Sequence, residues 1–339
     1  MTAPSDAALA WPAGAATGVG SLPGTDPVEA ARVVAGELPD LAHLPELPGR
    51  GPGADLLGRG AALLTDLHVD LQPSGWRLVA RSGLDERRTL DFLSWDLDAA
   101  ETAFAGYTGV LKVQCAGPWT LAAGVELTRG DRALSDAGAV RDIAAALAEG
   151  LGEHVREVRR RVPGATVVAQ LDEPSLPYVA AGRVPTASGF GTLRAVGVHE
   201  LLDGLRAALP DGVPAGVHCC APGVPFELLG RAGAAFVSFD LALVRTRDYD
   251  ALAELVESGV HLLAGAVPTN GVTGAVRDTA RPVRTLWRNL SQPPEMLAQR
   301  VTVTPACGLA GLSPDAARAA LARAREVARA LYEAPEEER

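Results

Sequence analysis

Eight short apolar runs recur along the 339-residue chain, and most are separated by longer stretches of helical periodicity. They are ATGVGSL (15–21), LAHLPEL (41–47), GVLKVQCAG (109–117), ATVVAQLDEP (165–174), GVPAGVHCC (212–220), AAFVSFDL (234–241), VHLLAGAVP (260–268) and RVTVTPACG (300–308). Between them, 136–162 places apolar residues at steps of three and four with arginines near its end. The stretch 313–334 opens with Ser313 as N-cap and Pro314 at the first helical position. Eight strands, most followed by a helix, predict an α/β chain folded as a (β/α)8 TIM barrel. A doubly wound open sheet alternates in a similar way, so the strand count carries the choice. Within 66–108, DLHVDLQPSGWRLVAR reads as a β-hairpin inserted before strand 3. No Ser/Gly-rich linker interrupts the pattern, so 1–339 reads as one domain with an ordered core over about 15–334.

An apolar fraction of 47% against 21% charged residues is ample for a sizeable core. The net charge of −10 disfavours nucleic acid or an anionic membrane surface as partner. Part of that charge sits in Glu333–Arg339, expected to be a solvated, frayed tail. The N-terminal stretch lacks the basic and apolar regions of a signal peptide, and no apolar run reaches the roughly 18–20 residues that span a bilayer. A cytoplasmic location is therefore expected, with the cysteines at 115, 219, 220 and 307 reduced. The low aromatic content and the single lysine, Lys112, read as compositional bias.

Barrels of this class carry their chemistry at the C-terminal ends of the strands. The reactive residues fall there: Gly20 and Ser21, Asp172 and Glu173, His218 to Cys220, Asp240, and Cys307. Alternation along a strand sends His218 and Cys220 to one side and Cys219 to the other. His218 and Cys220 are then either buried residues without chemistry or two metal ligands, with Cys219 in the packing between barrel and helices. Cys307, distant in sequence, lies on a strand end of the same ring and can converge on them. A histidine with two thiolates fits zinc with an open position. Asp240 is a further candidate ligand, equally explained as a helix N-cap or rim residue. In QLDEP, Asp172 and Glu173 take opposite faces, so one carboxylate can meet an amino group or move a proton at the mouth. The alternative is a loop-capping pair. TGVGSLPG, 17–24, matches neither G-x-G-x-x-G nor a P-loop; it reads as a close backbone approach to a small ligand or as a tight turn. There is no G-x-S-x-G or H-E-x-x-H; His154 reads as a surface or packing residue, and no motif anchors His43.

Taken in order, GVGSLPGT, VQCAGPWTLA, QLDEPSL, VHCC and TPACGL resemble the C-terminal catalytic barrel of cobalamin-independent methionine synthase, over residues 15–312. The resemblance implies zinc held by His218, Cys220 and Cys307, with an acidic fourth ligand for which Asp240 is the nearest match where the family carries Glu. Asp172 resembles the carboxylate that grips the amino group of homocysteine, and Val19, Gly20 and Ser21 the segment that binds the amino acid's other end. No catalytic residue is expected beyond the metal site. The implied reaction is methylation of a zinc-bound thiol to give methionine, since free thiols, with a pKa of about 8.5, are mostly protonated at neutral pH.

Three departures bear on the methyl donor. The given chain has no counterpart of the family's N-terminal half. Leu121 to Val125 replace the segment leading to a folate-stacking tryptophan, and AGAVPTNG, 264–271, lacks the histidine of a His-Ser-Pro motif proposed as proton donor. These point away from folate and toward a methylated corrinoid, free or carried by a protein, or another activated donor. Rival expectations are an epoxide-opening coenzyme M-type alkyltransferase, a metal-free decarboxylase like the uroporphyrinogen enzyme, and a non-catalytic metal- or ligand-binding barrel.

Overall fold

β-branched and small residues buried on both faces make most of the apolar runs parallel strands in the computed structural model, which describes residues 11–336. The start of the N-terminal stretch and the last three residues of the acidic tail lie outside the described residues. Seven strands form one sheet: β1 (Leu41–His43), β4 (Val110–Ala116), β5 (Thr166–Asp172), β6 (Ala215–Cys219), β7 (Phe236–Asp240), β8 (His261–Val267) and β9 (Val301–Pro305), ordered as written with every neighbouring pair parallel. The expected hairpin is present as β2 (His68–Gln72) and β3 (Gly75–Val79), an antiparallel pair between β1 and β4. It is pinned by the Trp76 indole, which donates to Asp55 at 3.1 Å, and by Arg77 against Glu126 at 2.7 Å.

The first expected strand, 15–21, departs from the pattern. It makes only single parallel bridges, Ala16 to Val303 at one edge of the sheet and Ser21 to Glu46 beyond the other. Thr17 donates to the Val303 carbonyl at 3.1 Å, and Glu46 to the Gly20 carbonyl at 3.1 Å. The segment thus links both edges without regular pairing. The physical reason lies at Val19, whose carbonyl accepts from the buried Lys112 ammonium at 2.7 Å and from Gln170 Nε2 at 3.1 Å instead of from a strand.

Alternation sorts the side chains into two cores. Leu111, Val113, Val167, Leu171, Val217, Val237, Phe239 and Leu262 point outward into a large cluster shared with the helices. Leu41, Val110, Val168, Phe236 and Leu263 form a separate inner cluster with Trp11, which closes the N-terminal end edge-on to Phe236 and His261. The covering helices follow their caps. Asp136 accepts from Gly138 and Ala139 to start Ala137–Arg161, and Ser313 accepts from Ala316 to start Pro314–Glu333.

Three buried histidines couple this interior to pH. Burial, reinforced by a nearby cation in each case, holds His43 down to about 3 (Lys112), His154 to about 4 (Arg59) and His261 to about 3 (Arg300). Each is neutral when folded but takes a proton in the unfolded chain below a pKa of about 6.5. Their stabilisation is therefore complete above that pH and falls as pH drops, by about 1.4 kcal/mol per pH unit for each group until its folded pKa is reached. Glu173, pushed up to about 7 by burial, has the opposite slope, so a single variant isolates one term. His261→Gln should flatten the plot of unfolding free energy against pH between pH 4 and 6 by about 1.4 kcal/mol per unit. Urea titrations at several pH values check this, and an unaltered slope would count against a neutral buried His261.

Candidate metal centre

His218 reaches the C-terminal mouth because β6 is short and its inward positions are Gly216 and His218. The register places His218 beside Asp172 of β5 and beside Ser238 of β7. Cys219 shares the outward parity of Val217, is fully buried, and has its thiol pushed up to about 12 by burial. Cys220, one residue past the strand, returns to the inner side. Cys307 follows β9 on a turn held by Ala306 donating to the Val267 carbonyl at 2.9 Å and Leu309 to the Ser21 carbonyl at 2.8 Å. A Cβ at Gly308 would overlap the Ser21 hydroxyl in its present rotamer, so glycine here lets the segment 19–21 press onto the Cys307 turn.

The three residues meet. One nitrogen of His218 and the sulfurs of Cys220 and Cys307 lie within 4.8 Å of one another, and the two sulfurs are 2.9 Å apart. His218 Nδ1 is engaged with Ser238 Oγ at 2.8 Å, whereas the buried Nε2 has no hydrogen-bond partner among the described residues. The S–H···S hydrogen bond draws Cys307 well below the usual thiol range and pushes Cys220 well above it, so the pair releases one proton readily and retains the second. An imidazole nitrogen beside two cysteine sulfurs is a donor set that fits a thiophilic cation.

Asp240 is not among these three. Its Oδ1 accepts from Ala242 N at 2.9 Å, capping the short helical turn Leu241–Leu243, and burial raises its carboxyl above the usual range. The charges of Cys307 and His218 act on it, which places it beside the centre.

The two carboxylates of QLDEP divide as alternation requires. Asp172 lies inward with Gln170, which donates to it at 2.7 Å. Burial, then the charge of Glu46, pushes the Asp172 carboxyl well up, and Lys112 pulls it back. Glu173 turns outward and caps the loop after β4. Its oxygens accept from Trp119 N at 2.9 Å, Thr120 N at 2.8 Å and Thr120 Oγ1 at 2.7 Å. A Cβ at Gly117 would overlap this carboxylate, which links the Gly-Pro of one motif to the Asp-Glu of the other.

Two residues that sequence reading passed over share this interior. Glu46 follows β1 and pairs with the buried Arg59 at 3.5 Å; Arg59 also pairs with Asp96, as does Arg50 at 2.8 Å. Lys112, the only lysine, is 1% exposed and clamps Val19. Its signal was visible, a lone charge inside a strand whose other residues are uncharged. Around them, His43 Nε2, Gln114 Oε1, Gln170 Oε1 and Thr304 Oγ1 are buried inner-face atoms without hydrogen-bond partners among the described residues, like His218 Nε2. Polar atoms gathered in this way call for a polar partner, water or ligand.

Comparison with known proteins agrees with the resemblance. The family described as cobalamin-independent synthase, catalytic domain, matches residues 14–330. Among solved structures, a B12-independent methionine synthase from Shewanella sp. W3-18-1, in complex with selenomethionine, is similar with a TM-score of 0.63 at 12% identity. The likeness covers 95% of this chain and 98% of that one and is a likeness of fold. No curated protein sequence matches. With almost its whole length matched by one family, the chain belongs to the cobalamin-independent synthase family and carries its catalytic domain.

Proposed function

We propose that the protein is a zinc-dependent thiol methyltransferase on a (β/α)8 barrel that converts homocysteine to methionine. The observation that carries this reading is the convergence of His218, Cys220 and Cys307 beside the inward carboxylate of Asp172. Family membership supports methyl transfer to a small thiol. The segment 15–22, which touches both sheet edges, supports ring closure.

In this reading His218 Nε2 and the two cysteine sulfurs hold zinc, which when bound offers a position where a substrate thiol is deprotonated yet remains nucleophilic. Asp172 receives the substrate ammonium. Burial raises its carboxyl despite Lys112, and a substrate ammonium beside it would favour its ionised form. Lys112 and Gln170 fix the Val19 carbonyl, so the backbone of Val19, Gly20 and Ser21 is presented rigidly to the other end of the amino acid. The substrate sulfur attacks the methyl carbon; a sulfur–carbon bond forms as the donor's bond to that methyl breaks, and the donor leaves with the electron pair. The matched family and the similar structure are both described as independent of cobalamin, so the comparisons lend no support to a corrinoid donor.

The interior also bears on the acceptor. Asp172 and Glu46 are both carboxylates, and the Lys112 ammonium is committed to Val19. That environment favours an ammonium-bearing thiol over a sulfonate-bearing one such as coenzyme M.

Zinc measured by atomic emission should fall from about one ion per chain to below about a tenth in Cys220→Ala and Cys307→Ala, and stay near one in Cys219→Ala. Wild-type protein that neither contains nor takes up zinc would overturn the metal assignment. Asp172→Asn should raise KM for homocysteine by about 10–100-fold, the loss of one charge-assisted hydrogen bond, without lowering zinc content. Turnover is followed as methionine formed from methyltetrahydrofolate and, separately, methylcobalamin, with coenzyme M as competing acceptor. A preference for coenzyme M would reject the amino-thiol reading.

A further inference from the structure

Ser238 is a buried hydroxyl with no evident packing purpose. It occupies an inward position on β7, is 1% exposed, and stands directly across from His218 in the register of β6 and β7. Below it the inward residue is Phe236 of the inner apolar cluster. A hydroxyl in such a place costs desolvation unless it is hydrogen-bonded, and the bond it makes is to His218 Nδ1 at 2.8 Å.

That contact matters because a neutral imidazole carries one proton and one lone pair, on different nitrogens. Only the nitrogen with the lone pair can ligate. A hydroxyl oxygen accepting from Nδ1–H leaves the lone pair on Nε2, the nitrogen that is buried without a hydrogen-bond partner among the described residues. It also fixes the rotation of the ring about its stem, which decides whether Nε2 faces the sulfurs of Cys220 and Cys307. Both strands are rigidly paired on each side, so donor and acceptor positions are set before any ligand arrives.

We infer that Ser238 is the positioning residue of the metal centre: its hydroxyl holds the His218 proton on Nδ1 and aims Nε2 at the two cysteine sulfurs. The inference rests on the proposed metal reading and deepens it, assigning to β7 a contribution that acts through His218 without touching the ion.

The test compares Ser238→Ala and Ser238→Thr with wild type. Zinc affinity is measured by competition with a chromophoric chelator, and the absorption bands of the cobalt-substituted chains report ligand geometry. Ser238→Ala should bind zinc about 10–100-fold more weakly, with altered cobalt bands, while Ser238→Thr, which keeps the hydroxyl, should bind nearly as wild type. The metal-free melting temperature separates positioning from folding; the loss of affinity should appear with that temperature little changed. Wild-type zinc binding with Ser238→Ala within twofold of it would overturn the role of Ser238 and leave the metal reading standing. Weakened binding in both variants, matched by an equal loss of metal-free stability, would likewise assign Ser238 to packing. Wild type unable to bind zinc would overturn both.

Discussion

The parallel register of β5, β6 and β7 is the constraint on which the rest of the centre depends. It sets Asp172, His218 and Ser238 side by side on one face of neighbouring strands. Because the side-chain period is two, a slip of one residue in β6 would carry His218 into the outer layer and bring Cys219 to the mouth. The outer cluster forbids that slip, since Val217 and its outward neighbours on β5 and β7 pack against the helices. The apolar core thus fixes the polar site. On the inner face of the sheet the same parity stacks an apolar layer around Trp11 below and a polar layer above.

A polar layer so deep is costly unless its charges are answered. Arg59 and Arg50 hold Asp96, and Arg59 also reaches Glu46, which ties the loop after β1 to the helices Leu56–Ala61 and Leu84–Ala103. Removing one member of such a network leaves a buried charge alone, so the network specifies geometry more than it adds stability. Lys112 is anchored on a neutral partner, the Val19 carbonyl, instead of an adjacent carboxylate. That anchorage is available because residues 15–22 are not a regular strand.

The same irregularity explains where sequence reasoning stopped short. Seven of the eight apolar runs became strands, and the helices beginning after Asp136 and Ser313 started where their caps placed them. Alternation alone separated Cys220 from Cys219 and Asp172 from Glu173, because that rule is local. Residues 15–21 read as a strand because the pattern shows apolar content and not where a carbonyl turns. Asp240 read equally as a ligand and as a helix N-cap; the cap is present, with its Oδ1 accepting from Ala242 N, and that single bond leaves the ligand reading open. Glu46, Lys112 and Ser238 were passed over for a common reason: their significance lies in neighbours across strands, such as Val19 and His218, that no local window contains.

In the proposed reading the two halves of the pocket sort the two ends of an amino thiol by chemistry. The sulfur pair retains its second proton tightly. A soft cation that displaces that proton therefore gains both thiolates at once, whereas a hard oxygen-seeking cation gains little. The Asp172 side works in the opposite sense. Its carboxyl is raised by burial and by Glu46, so an incoming ammonium is stabilised there and helps ionise the group that binds it. A thiol without an amine would satisfy one end and leave the other buried and unpaired, and that unpaired carboxylate is the stronger source of discrimination. Specificity for the acceptor would then reside in β5 and reactivity in β6 and β9, joined by the register between Asp172 and His218.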